Sequence, residues 1–215
     1  MRRFSLITPT RDRLEWLPRA IESVLAQTFT DFEWVVYDNG GQHAKHLFPK
    51  DKRIRYYRGP ADGPADAFQK ALELARGQII HPFSDDDRLT PDALETVDRE
   101  IGDFEWLVGY TSYEDEQGQH RFLLGGEVDV TQLKQNYYLG GAIYWKRSLS
   151  DRVGGFKTEF DGAADYDLYL RFAHAAPARF VPVVLYRYTD HPGTDSHVRS
   201  SNQMAQTSRI IAEAA

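Results

Sequence analysis

Three consecutive carboxylates, Asp85, Asp86 and Asp87, follow Ser84 directly behind the apolar run Ile79-Ile80-His81-Pro82-Phe83. Adjacent carboxylates repel one another, and none can be buried without a partner. Such a cluster persists where a cation sits on it or where water surrounds it. Oxygen donors of this kind suit Mg²⁺ or Mn²⁺, which keep several waters and bridge to substrate phosphates. The run before the triplet reads as a buried strand. Thr90-Pro91-Asp92-Ala93-Leu94 behind it reads as a helix start, with Thr90 as N-cap and Pro91 at the first helical position. Carboxylates at the C-terminal edge of a strand in an alternating β/α chain lie where open α/β sheets bind ligands. The competing reading is a solvated acidic loop that caps the helix and complements its dipole.

The elements around the triplet follow from pattern. Phe4 to Thr8 is a first strand, ended by Pro9, and Thr10-Arg11-Asp12-Arg13 is a polar turn. A helix starts at Pro18, with Ile21, Val24 and Leu25 on one face. Phe32 to Tyr37 is a second strand, ended by Asp38-Asn39-Gly40-Gly41, and Arg53 to Tyr57 a third. A helix from Pro64 to Arg76 carries Ala67, Phe68, Ala71, Leu72 and Ala75 as its buried stripe, with Gly77 as C-cap. Strand and helix alternate, which implies a largely parallel sheet with right-handed crossovers. The second half changes character. After a helix from Pro91 to Ile101 come a strand at 105–110 and a hairpin around Glu116-Gln117-Gly118-Gln119. A glycine-led strand at 140–145, a helix at 165–175 and a last strand at 180–188 follow. The chain ends in a polar loop and a short helix near 204–214.

Composition bounds the function. The 215 residues are 41% hydrophobic and 13% aromatic, which fits one soluble globular domain over 1–215. A net charge of −6 without a basic stripe gives no reason to expect nucleic acid, or adhesion to anionic lipid by charge alone. Cysteine is absent, which excludes disulfides, thiolate nucleophiles and cysteine-ligated metal. The apolar run behind Met1-Arg2-Arg3 is too short for a signal peptide, and no stretch approaches a membrane span. A cytoplasmic enzyme is the default expectation, with peripheral association at a membrane left open.

Taken in order, these stretches resemble the family-2 glycosyltransferases of the GT-A fold. Ser5-Leu6-Ile7-Thr8-Pro9-Thr10-Arg11 and Leu17 to Phe29 match that family's first strand and helix. Val35 to Gly41 is similar to its second strand and acidic turn, and Gly63-Pro64-Ala65-Asp66-Ala67 to its Gly-x-x-Asp-Ala helix. Asp85 to Leu94 resembles its DxD region, and Gly154-Gly155-Phe156 with Ala163-Ala164-Asp165-Tyr166-Asp167-Leu168 its acceptor-side motif. The resemblance implies a Rossmann-like α/β three-layer sandwich with a mostly parallel sheet and a small antiparallel acceptor-side part. It divides the chain into a nucleotide-sugar half (1–100), an acceptor half (101–190) and a C-terminal loop and helix (191–215).

The resemblance also implies a reaction: transfer of a sugar, with inversion, from a nucleoside diphosphate sugar to the hydroxyl of a glycan or lipid-linked glycan. Asp86 is then the metal ligand for Mn²⁺ or Mg²⁺, Asp87 holds a metal water and Asp85 lies near the ribose or sugar. Asp165 is the base that takes the acceptor proton, ionised at neutral pH by its place at a helix N-terminus. Thr8, Pro9, Thr10 and Arg11 line the nucleotide, Asp38 accepts from base or ribose, and Asp66 either supports that pocket or is a first-turn charge. His191 is a third ligand to metal or diphosphate, with His197 competing, and Arg187 or Arg199 neutralises the diphosphate instead. Asp167 reads as a helix charge only. Tyr137-Tyr138 and Tyr144-Trp145 supply rings for an acceptor sugar, at least half of them serving the core. The sequence departs from the family pattern in carrying Ser84 and Asn39 where many relatives have carboxylates, so the nucleotide base is not specified. The alternatives are a sugar-1-phosphate nucleotidyltransferase, whose Gly-rich signature the first turn lacks, and a non-catalytic domain that binds nucleotide sugar.

Overall fold

Successive strand residues point to opposite faces, so Phe4 and Leu6 of β1 (Phe4–Thr10) go to one side and Ile7 to the other. Both faces are buried, and the strands accordingly read as apolar runs rather than alternations. The computed structural model describes residues 2–194, 197 and 200–213. In it β2 (Phe32–Asp38), β3 (Ile54–Arg58) and β4 (Ile79–Pro82) join β1 as a parallel sheet in the order β3-β2-β1-β4. Helices α1 (Leu17–Leu25) and α3 (Ala93–Glu100) cover the face of Phe4, Leu6, Trp34 and Ile79. Helix α2 (Gly63–Leu74) covers the face of Ile7, Val35 and Ile80.

The sheet continues as β8-β6-β9-β5, with β5 (Arg88–Leu89), β6 (Trp106–Asp115), β8 (Ile143–Lys146) and β9 (Ala178–Asp190). β8 runs antiparallel to both β4 and β6, but β6 and β9 pair in parallel over ten residues. Among the described residues β7 (His120–Leu124) bonds only to β6, as the second arm of a hairpin. The α2 face extends beneath this half through α4 (Val130–Gln135), α5 (Arg147–Val153), α6 (Ala164–Ala175) and α7 (Ser200–Glu213). The result is an α/β fold with a mixed, largely parallel curled sheet. Among the described residues no helix is long and apolar enough to cross a membrane.

Three local expectations change, and two short helices are added. Pro9 does not end β1, because β4 stops opposite Ile7 and asks nothing of the missing N–H. Thr90 does not cap a helix: its N–H and hydroxyl go to Leu185 and Val184 carbonyls, extending the β5 edge, and α3 starts at Ala93. Gly77 is no C-cap either. A Cβ there would lie 2.5 Å from the backbone of Phe4 and Ser5, so glycine is required by close approach rather than by a left-handed turn. Helices α4 and α5, six and seven residues long, carried too little periodicity to read from sequence.

One buried ion pair ties β1, β2 and β3 together at the end remote from the triplet. Glu33, 4% exposed, accepts from Ser5 Oγ at 2.7 Å, from Arg55 NH1 at 2.7 Å and from the Arg76 N–H. Burial alone would raise its pKa; the donors outweigh burial and hold the carboxyl below its ordinary value. Arg55→Ala is therefore expected to cost about 2–3 kcal/mol, somewhat under a fully buried pair because Arg55 is partly solvated. The sign is fixed. A depressed carboxyl stabilises the fold above its unfolded pKa and loses that contribution as pH falls through its folded value. Urea unfolding of the wild type should weaken only at strongly acid pH, and that of Arg55→Ala should begin to weaken at higher pH.

Candidate active site

The triplet closes the C-terminal edge of β4, beside the ends of β1 and β2, and all three carboxylates are buried. Burial demands compensation, and each carboxylate receives it differently. Arg13, from the β1–α1 turn, places NH1 2.5 Å from Asp86 Oδ2 and 3.4 Å from Asp85 Oδ1, and its NH2 reaches the Gly193 carbonyl at 3.3 Å. Asp87 turns the other way, accepting from the Thr189 N–H at 2.8 Å and the Tyr186 hydroxyl at 2.7 Å. Both of its oxygens are thus spent on β9, a geometry that departs from the expected place on a metal water. Asp85 Oδ2 accepts no hydrogen bond; the Thr10 hydroxyl favours its ionised form without reaching bonding geometry. Burial, then the Asp86 charge, push the Asp85 carboxyl up to about 7, and the same two causes hold Asp87 well above the ordinary carboxylate range.

His191 completes the cluster. It is buried, stacks on Trp16 at 4.0 Å between ring centroids, and sets Nε2 3.2 Å from Asp86 Oδ2. The Gly193 N–H donates to its Nδ1 at 3.2 Å, so in this tautomer Nε2 carries the proton and donates to Asp86. Ligation of a cation through Nε2 requires that proton to move to Nδ1 and the Gly193 contact to open. His197 is elsewhere, 2.7 Å from Asp190 on the surface. Arg187 pairs with Glu114, which also holds Arg88, and does not reach the triplet. Arg199 lies outside the described residues. Among the described residues no three His, Cys, Asp or Glu side chains form a ready cage. A carboxylate facing an imidazole, with an unsatisfied buried carboxylate oxygen next to it, still fits Mg²⁺ or Mn²⁺, whose other ligands are waters and substrate phosphates.

Two cavities meet at this cluster, sharing Arg13, Pro64, Phe68 and Ser84 in their walls. The smaller, about 150 Å³, lies over the ends of β1 and β2 and is lined by Pro9, Thr10, Arg11, Asn39 and Asp85. Other residues expected there serve its frame instead. Thr8 is fully buried, its hydroxyl accepting from Trp34 Nε1 at 2.8 Å. Asp38 folds back onto the following loop, accepting from the Gly40 and Ala44 N–H groups and the Tyr56 hydroxyl. Asp66 accepts from Lys70 one helical turn on and from the Asp62 N–H, as a first-turn charge does. Asp12 braces the rim from a left-handed conformation (φ 56°), accepting from the N–H groups of Gly41 and Gln42.

The larger cavity, about 330 Å³, contains Asp86 and Asp165 and is walled by Tyr113, Tyr137, Tyr186 and Tyr188. Asp165 sits in the first turn of α6, its side chain open to the cavity and 3.4 Å from the Tyr137 hydroxyl. The enclosing walls raise its pKa; the helix-start N–H groups and Tyr137 pull it partly back. Burial thus outweighs the helix start in direction, and solvent in the cavity limits the rise. Asp167 faces away and is clamped by Arg171 at 2.6 Å. Tyr144 and Trp145 are core, and Tyr138 donates to the Glu127 carbonyl outside the cavity lining. Sequence reasoning passed over Arg13, Tyr113, Tyr186 and Tyr188. The alternation of Tyr186 and Tyr188 along β9 was the available signal for two of them.

The α/β sheet, with two cavities meeting at a carboxylate-bearing strand end, has the GT-A fold of its solved structural neighbours. The glycosyl transferase family 2 model matches residues 5–160, and the chain belongs to that family. An uncharacterized glycosyltransferase of Rickettsia felis is 33% identical over 122 residues, 54% of this chain and 20% of its own length. The chain thus spans about a fifth of that relative. Among solved structures, residues 1–349 of Staphylococcus aureus TarS in complex with UDP-GlcNAc superpose with a TM-score of 0.79 at 19% identity, covering 98% of this chain and 65% of that one. The mannosyltransferase PcManGT of Pyrobaculum calidifontis, in complex with GDP-Man and Mn²⁺, gives 0.72 at 18%, covering 96% and 63%.

Proposed function

We propose that this chain transfers a sugar, with inversion, from a nucleoside diphosphate sugar to an acceptor hydroxyl of a glycan or lipid-linked glycan. The observation that carries the reading is the meeting of two cavities at Arg13 and the triplet, with Asp165 in the larger. The nucleotide occupies the smaller cavity over β1 and β2; the sugar and acceptor share the larger. Asp165 accepts the proton of the acceptor hydroxyl as its oxygen bonds to the anomeric carbon, while the bond to the diphosphate breaks on the opposite side. Arg13 lies where negative charge then accumulates and is already positioned by Asp86. A divalent cation held by Asp86 and His191 would supply Lewis-acid stabilisation of the leaving diphosphate. Asp87 anchors β9, and with it His191, to the triplet. The Mn²⁺ in the mannosyltransferase complex and the nucleotide sugars in both solved relatives support this reading by likeness.

The direct test is calorimetric titration of UDP, GDP and TDP, each with and without Mn²⁺. One nucleotide is expected to bind, and only with the ion. Binding that ignores Mn²⁺ would remove the ion from Asp86 and His191. No binding under either condition would leave a family member that has lost its donor site.

A further inference from the structure

Most of the apolar rings in this protein are inside it, but Phe122 on β7 is 48% exposed. Its inner face lies on Tyr113 of β6, with centroids 4.6 Å apart and planes 18° apart. The other face of Tyr113 lies on Tyr188 of β9, at 4.3 Å and 27°. These are cross-strand neighbours, so the three rings form one row across β7, β6 and β9. Tyr113 and Tyr188 line the cavity that holds Asp165. The row therefore carries the aromatic wall of that cavity out to the hairpin, where among the described residues β7 has no further strand beside it and Phe122 is half exposed to solvent.

An exposed phenyl on an edge strand is a liability unless something covers it. Its surroundings select the occupant. Leu123, also exposed, points to the opposite face of the strand, and His120 and Arg121 beside the hairpin are exposed polar groups. One flat ring among polar side chains offers no continuous patch to a bilayer or a protein. It matches the C–H face of a pyranose, whose hydroxyls stay with water and polar neighbours. The row spans two strand spacings, roughly 10 Å, further than one sugar ring reaches.

We propose that Phe122, backed by Tyr113 and Tyr188, is a distal acceptor subsite that stacks on a second or later sugar, so that the acceptor is an oligosaccharide. This rests on the transferase reading above. The test is saturation-transfer NMR and affinity measurement on the full chain, using glucose, mannose and N-acetylglucosamine and their dimers and tetramers as probes. Wild type, Phe122→Ala, Phe122→Leu and Phe122→Trp are compared, with UDP and GDP binding measured on the same samples. In at least one series the tetramer should bind more tightly than the monosaccharide. Phe122→Ala and Phe122→Leu should weaken the tetramer about fivefold without moving the monosaccharide, and Phe122→Trp should restore it. Leucine keeps the apolar cover over Tyr113, so tetramer affinity in Phe122→Leu equal to wild type would reduce Phe122 to packing and overturn the proposal. Equal affinity for all chain lengths in the wild type would also overturn it, as would Phe122-dependent adhesion to phosphatidylcholine–phosphatidylglycerol vesicles in place of sugar binding. Nucleotide binding without oligosaccharide binding defeats the subsite alone. Phe122-dependent oligosaccharide binding without nucleotide binding defeats the transferase reading and leaves the subsite standing.

Discussion

Asp165→Asn is expected to lower sugar transfer by about three orders of magnitude, within the range of a lost general base, while nucleotide affinity is unchanged. The substitution is nearly isosteric, and Asp165 lies in the larger cavity and not in the wall of the smaller one, so donor binding has no reason to change. The acceptor hydroxyl, however, loses the oxygen that takes its proton. The pH profile gives a second readout with a defined sign. The base works ionised, and enclosure in the cavity raises its pKa. Transfer at saturating donor should fall as pH drops through that raised value, so the acid limb lies above where a free aspartate would put it. In Asp165→Asn the residual rate should lose this limb. Unimpaired transfer by Asp165→Asn would move the base elsewhere in the tyrosine-lined cavity.

Asp86→Asn should cost transfer a factor of about 10² to 10³ and, unlike Asp165→Asn, should weaken nucleotide binding in the presence of Mn²⁺. The amide keeps the volume but removes the charge that faces His191 and Arg13. Arg13 loses its shortest ion pair and keeps its longer contact to Asp85 and its bond to the Gly193 carbonyl, and Asp85 loses the like charge beside it. The fold should survive, because Asp87 and its bonds to β9 are untouched. Titrating Mn²⁺ against nucleotide affinity in wild type and variant separates the two roles of the cluster. A variant with undiminished Mn²⁺ dependence would show that Asp86 does not hold the ion.

Much of the frame could be read from the chain. The apolar runs of β1, β2 and β4, the polar turns after them and the stripe of α2 are local patterns, and local pattern decides which element forms. The position of the triplet at a strand end and of Asp165 at a helix start follow from the same reading. What each carboxylate touches did not. Asp38 lies at a strand end, as expected, yet the backbone of its own loop claims both oxygens. Asp66 is claimed by Lys70, four residues on.

The sequence determined the main strands and helices and their order, the parallel first half and the family, because periodicity, turn residues and ordered motifs are all local properties; the short helices α4 and α5 were too brief to show a period. Only the tertiary structure decided which charges meet. Arg13 reaches Asp86 across 73 positions, Thr189 reaches Asp87 across 102, and His191 reaches Asp86 across 105. No neighbouring residue encodes such a contact. It depends on the parallel pairing of β9 with β6 and the short antiparallel step onto β5, which bring the end of β9 against the triplet. That crossing selects His191 over His197 for the cluster, and sets the tyrosines of β6 and β9 as the wall of the cavity in which Asp165 stands.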